Sequence, residues 1–240
     1  MNRIGRSAVI AGVRVLAVTA VTAVLLSACG GSATVAAPTP SVPAASASPT
    51  AAVTAAVPAG GVRFVATPFK GAATVKVEEH LAVNLVNTDA VLVSNGVDGV
   101  LTLNADGSFT PDSKIVVDMT RLSGDQSLRN KWIELFGIET GKFKTATFVP
   151  TRATGLATPL PASGEWAFTL DGQLTVHGVT KAASWKATAK RSGRDLTATA
   201  TTLVHWADFE VGKPQAAVTQ VVAVSDDIRL ELKFVGTQAD

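Results

Sequence analysis

Cysteine is almost missing from this chain of 240 residues. Cys29 is the only one, which excludes an internal disulfide, a thiol-rich zinc or iron–sulfur site and, in the region after it, a cysteine nucleophile. Tyrosine is absent altogether, so nine Phe and four Trp supply every aromatic contact. A surplus of one charge is lacking too. There are 21 Lys+Arg against 19 Asp+Glu, and three of the basic residues, Arg3, Arg6 and Arg14, fall in the first fourteen positions. Subtracting those three with residues 1–28 leaves 18 basic against 19 acidic residues, a formal charge of −1. Such a balance gives no polyanion groove, and no nucleic-acid partner is expected. No Gly-x-Ser-x-Gly elbow and no Gly-rich phosphate loop opening a helix occur. The histidines, at 80, 177 and 205, have no ligand spacing. Neither an enzyme nor a metal site is expected.

What is present begins with an export signal. The basic cluster is followed by an apolar run from Val15 to Ala28, broken only by Thr and Ser. As a helix it would measure roughly 21 Å, short of the roughly 30 Å hydrocarbon core of a bilayer, which favours a signal sequence over a permanent span. The run ends Leu26-Ser27-Ala28-Cys29-Gly30, which resembles the lipobox of bacterial lipoproteins. The resemblance implies cleavage after Ala28 and lipidation of Cys29. Acyl chains contribute about 0.8 kcal/mol per buried CH₂, so two or three of them, palmitate included, hold a protein on a cell membrane. The expected location is the extracytoplasmic face.

Residues 29–60 read as a tether. Ser32 to Gly60 holds 29 residues, all Ala, Pro, Ser, Thr, Val and one Gly, with 11 Ala, 5 Pro and no charge. Prolines interrupt any helix and no large side chain offers a core, so disorder is expected, with a reach of roughly 90 Å when extended.

The remaining 180 residues, Gly61 to Asp240, are enough for one core, and their dominant period is two. Ile228, Leu230, Leu232 and Phe234 alternate with Arg229, Glu231 and Lys233. Trp166, Phe168 and Leu170 alternate with Glu165, Ala167 and Thr169, and the same parity continues to Leu174 and Val176. A strand this long suits a curved barrel, with Gly172 available for the bend. Further strands are expected at Arg63–Ala66, Thr74–Ala82, Thr88–Ser94, Val97–Leu103, Lys114–Met119, Thr147–Thr154, Ala183–Lys190, Leu196–His205 and Val218–Ala223. One helix interrupts them. Leu128, Trp132 and Leu135 share a face, Ser123 and Gln126 match a capping box, Asp125 lies four before Arg129, and Gly137 ends the element. On this reading Trp132 seals one end of the barrel.

Three stretches carry a resemblance. Lys114 to Phe148 contains Asp118, Asp125, Arg129 and the Glu139-Thr140-Gly141-Lys142-Phe143 turn before Ala146-Thr147-Phe148. Gly172 to Trp185 reads GQLTVHGVTKAASW, and His205-Trp206-Ala207-Asp208-Phe209 follows later. Together they resemble the YceI-like family from about Ala73 to Phe234, with Lys144 where a proline is usual and Ala207 where an arginine precedes Asp208. The resemblance implies an all-β fold, a single antiparallel lipocalin-like barrel of about eight strands with one inserted amphipathic helix. It also implies a ligand, a small hydrophobic isoprenoid lipid of quinone or polyprenyl type, held in an apolar cavity, with no other cofactor.

The residues expected to contact such a ligand are Val75, Val77, Trp132, Trp166, Phe168, Leu170, Leu230 and Leu232. Glu79, on the same parity as Val75 and Val77, reads either as a polar contact for a head group at the mouth or as a satisfied structural partner. Alternation demands inward apolar side chains whether a barrel is hollow or solid. The competing reading is therefore a filled barrel serving as a surface structural or protein-interaction module.

Overall fold

The structure is a computed structural model and describes residues 57–81, 87–214 and 221–239, within a compact unit spanning 52–240. The leader, Cys29 and nearly all of the tether lie outside the described residues.

Strands β1 (Val62–Ala66), β2 (Ala72–Leu81), β3 (Asn87–Ser94), β4 (Val97–Leu103) and β5 (Lys114–Asp118) precede a two-residue strand β6 (Ser123–Gly124) and a short helix α1 (Ser127–Trp132). After the helix come β7 (Thr145–Thr154), β8 (Ser163–Val176), β9 (Val179–Ser192), β10 (Asp195–His205) and β11 (Val221–Ala239). All pairings between these strands are antiparallel. Eight strands close a ring in the order β1-β4-β5-β7-β8-β9-β10-β11, with β11 returning to β1. The chain is thus a lipocalin-like closed barrel.

The ring forks along β11. Its last residues pair with β1 (Ala66↔Gly236), and its earlier part pairs with β2 (Val75↔Leu230, Val77↔Ile228). From β2 the sheet runs on to β3 and β6 and stops there. The barrel therefore has two unlike halves. At the β1 end Phe64 and Phe234 are both 2 % exposed, and Arg191 lies 5.4 Å above the Phe64 ring. The Arg191 guanidinium donates to the carbonyls of Leu160, Pro161 and Gly193, which satisfies a buried cation in place. Towards the β2–β3 end the interior instead holds a hollow.

The inward parity of β11 expected from Ile228, Leu230, Leu232 and Phe234 is what the strand displays, each of the four buried or half-buried. The expected separate strand ending at Ala223 is corrected: it is the beginning of β11. Register irregularities between Val221 and Ala223 and between Val224 and Ile228 absorb Ser225, Asp226 and Asp227 as a bulged stretch within one strand.

The helix departs further from expectation. Leu128 is 72 % exposed and Leu135 47 %, so the face they were expected to share with Trp132 does not seal the barrel. Ser123 lies in β6, paired with Val93, and Gln126 stands at the N-cap without a side-chain capping hydrogen bond. The physical cause is a change of helical pitch. α1 runs into a π turn, Ile133–Gly137, in which Ile138 N–H donates to the Ile133 carbonyl at 2.9 Å. Five-residue spacing, not the α period, stacks Ile133 and Ile138 on the inward side. Gly137 is explained by proximity: a Cβ there would meet the Trp132 ring at 2.8 Å.

Candidate ligand cavity

Inside the β2–β3 half lies a cavity of about 120 Å³ whose wall is almost wholly carbon. β2 contributes Val75 and Val77, β11 contributes Leu230 and Leu232, and β8 contributes Leu174 and Val176. Beside Leu174, Phe148 of β7 meets Trp185 of β9 edge to face, ring centroids 5.5 Å apart at 65°. Gly172 makes this possible, since a Cβ there would come within 2.7 Å of the Phe148 ring and 2.4 Å of the Val149 carbonyl oxygen. Trp206, Phe209, Ile133 and Ile138 close the helical end.

Met119, Leu122 and Ile133 also border a second hollow of about 420 Å³ with Thr120, Asn130, Glu134, Thr140 and Lys144. These three apolar side chains form a partition between a polar cleft outside and the carbon-lined cavity within. The backbone around them is pinned: Asp118 accepts from Thr120 N–H at 2.9 Å, and Met119 N–H donates to the Lys144 carbonyl at 2.8 Å.

Two polar clips hold the helical cap against the strands. Arg129 reaches both oxygens of Glu79, Nε at 3.2 Å and Nη2 at 2.9 Å, while its Nη1 meets Asp125 at 2.8 Å. The Asp125 carboxyl is lowered by that hydrogen bond. On the other side His177, in the β8–β9 turn, places Nε2 2.9 Å from Glu139 and Nδ1 3.2 Å from the Phe209 carbonyl. Both partners are acceptors, so the two contacts are made together when both ring nitrogens carry protons. The bond from His177 lowers the Glu139 carboxyl below its ordinary value.

Of the residues expected to contact a ligand, Val75, Val77, Leu230 and Leu232 line the cavity. Trp166, Phe168 and Leu170 do not; Trp166 and Phe168 are half-buried, and Leu170 pairs with Trp185 in the core outside the cavity wall. Parity put them inside the barrel, but in the part of β8 that precedes Gly172. Trp132 is half-buried and lies outside the wall, where Ile133 takes the place expected of it. Glu79 is buried but turned to Arg129, as a structural partner. Sequence reading missed Phe148, Trp185, Ile133 and Ile138. Only Phe148 and Trp185 carried a signal, as aromatic residues within expected or neighbouring strand runs.

A model of the YceI-like domain matches residues 70–236. The chain belongs to the YceI-like domain family. Among solved structures, a polyisoprenoid binding domain from Saccharophagus degradans, implicated in plant cell wall breakdown, superposes with a TM-score of 0.53 at 12 % identity, over 73 % of this chain and 98 % of that one. BcnA of Burkholderia cenocepacia superposes with the same TM-score at 18 % identity, over 71 % and 98 %. At these identities the likeness is one of fold. Among curated proteins no relative matches. Every residue that lines the cavity lies within the span of the YceI-like domain.

Proposed function

We propose that this YceI-like protein is a cell-envelope lipoprotein that holds part of an isoprenoid lipid in the cavity of its barrel, anchored through Cys29 and lifted from the membrane by residues 29–60. The observation that carries the reading is a cavity of about 120 Å³ with a carbon wall, in a YceI-like barrel whose fold is shared with a solved polyisoprenoid binding domain. An apolar cavity of about 150 Å³ stays dry and accepts benzene, so the hollow suits one ring or about one isoprene unit. A ring of that size removes roughly 150 Å² from water, worth about 4 kcal/mol, which alone gives only about millimolar affinity. Firm retention requires cover for more of the chain, and the partition of Met119, Leu122 and Ile133 is where a longer chain passes.

The test is organic extraction of the protein purified from its own host, followed by mass spectrometry, with the Cys29→Ala variant grown on clickable palmitate in parallel. A co-purifying isoprenoid and loss of label in the variant are expected. Absence of any lipid in the extract overturns the ligand reading, and equal labelling of both proteins overturns the anchor.

A further inference from the structure

The polar cleft outside the partition of Met119, Leu122 and Ile133 is the larger of the two hollows, at about 420 Å³. A water molecule's share of liquid is about 30 Å³, so the cleft has room for a hydrated polar group the size of a phosphate. Most of its polar side chains are already engaged. Asn130 turns both ends of its amide to Gly124, accepting from the N–H at 2.8 Å and donating to the carbonyl at 3.0 Å. The Thr120 hydroxyl donates to Asp118 at 2.6 Å, and the Glu134 carboxylate is held by Lys131 at 3.1 Å.

Two groups are left over. Thr140 is 7 % exposed, and its hydroxyl makes no hydrogen bond among the described residues, although the oxygen keeps an open surface in the wall of the cleft. The Lys144 ammonium, also in that wall, has no ion pair or hydrogen bond among the described residues. Both stand on fixed backbone: Thr140 N–H donates to the Glu134 carbonyl at 3.0 Å, and the Lys144 carbonyl accepts from Met119 N–H. A largely buried hydroxyl beside a free ammonium is best satisfied by an anionic oxygen, which accepts from both. Lys144 stands where the family usually carries proline, so this cation is the chain's own. The same three apolar side chains line both hollows, so one layer separates the cleft from the carbon-lined cavity, and Met119, unbranched and flexible, is the member that yields.

Resting on the reading that the cavity holds a lipid, we infer that the cleft seats the head of that lipid and that the head is anionic, a phosphate ester held by the Lys144 ammonium and the Thr140 hydroxyl. The chain then threads between Met119, Leu122 and Ile133 into the cavity.

The probes are geranyl phosphate, geraniol and inorganic phosphate: the first two share a chain of two isoprene units and differ in the head, and the third is the head alone. Titrations of the full chain are followed by calorimetry at low ionic strength. Geranyl phosphate is expected to bind about tenfold more tightly than geraniol, with a preference that shrinks as salt screens the ammonium, and far more tightly than inorganic phosphate. Lys144→Gln brings geranyl phosphate down to the affinity of geraniol and leaves geraniol unchanged. Lys142→Gln, at an exposed lysine outside the cleft wall, keeps the preference. Thr140→Val lowers the affinity for geranyl phosphate about threefold without lowering Tm, since no hydrogen bond of that hydroxyl is lost from the fold. Equal affinities for the two chain-bearing probes in the wild type, a preference that survives Lys144→Gln, or its equal loss in Lys142→Gln overturns the inference while leaving lipid binding intact. Inorganic phosphate bound as tightly as geranyl phosphate overturns the lipid head as the source of the anion. A fall in Tm for Thr140→Val, or an unchanged affinity, removes Thr140 from the site. If no probe binds, the cavity reading fails and takes this one with it.

Discussion

Replacing Leu170 and Leu174 in turn by tryptophan places the same added bulk on one strand, on one parity, four residues apart. Leu170 is 8 % exposed and packs in the core outside the cavity, whereas Leu174, 5 % exposed, lines it. Tryptophan adds about six heavy atoms to each site. Beside Leu174 they enter a hollow of about 120 Å³, so Leu174→Trp is expected to change stability by less than about 1 kcal/mol. Leu170 does not line that hollow, and overpacking among its core neighbours displaces them from their rotamers at about 1–3 kcal/mol. In a domain of this size that is a drop of about 2–12 °C in Tm. Calorimetry on both variants, with urea midpoints as a second measure, gives the stability difference. Titration with durene gives the other half: Leu174→Trp loses binding and Leu170→Trp keeps it. If Leu174→Trp is as damaging as Leu170→Trp, or still takes up durene at wild-type affinity, the division into a filled and a hollow half is wrong.

Two further outcomes follow from the cap. Ile133→Ala is expected to lower stability by about 2–4 kcal/mol, because Ile133 is 7 % exposed and borders both hollows, while Leu128→Ala, at a 72 % exposed position, stays within about 0.5 kcal/mol; similar urea midpoints for the two variants would refute the facing of the π turn. The Glu139–His177 contact predicts an acid dependence of known sign. Its lowered native carboxyl stabilises the fold above the ordinary 4.5 and ceases to do so as pH falls through that lowered value, so the gap between wild type and Glu139→Gln is constant above about pH 4.5 and narrows as the pH falls below it. A gap that does not change over that range removes the contact from the cap.

The barrel was legible because alternation is a local property. Trp166, Phe168, Leu170, Leu174 and Val176 each declare an inward position by parity alone, and Ile228 to Phe234 do the same for β11. Which inward side chains surround space and which fill it was not legible, since that depends on how far the sheet has forked from β11, a matter of long-range pairing. The helix misled for a different reason. The spacing of Leu128, Trp132 and Leu135 fits an α period, but the chain departs from that period at Ile133, where residues 133 and 138 rather than 132 and 135 come to share the buried side. Glu79 illustrates a third limit: its burial followed from parity, yet its partner, Arg129, is fifty residues away. The unpartnered hydroxyl of Thr140 had no signature at all, because a missing partner is a property of the assembled interior.

The fork along β11 has a dynamic consequence. Because β1, β4 and β5 complete the ring without β2, β3 or β6, the hollow half can loosen its backbone pairings while the closed circuit of eight strands stays zipped. Amide hydrogens of β3 and β6 should then exchange with solvent through partial openings of low free energy, and those of β10, held between β9 and the whole length of β11's later part, only through global unfolding. On the proposed reading, a container built this way would exchange its contents at one end without giving up its shape.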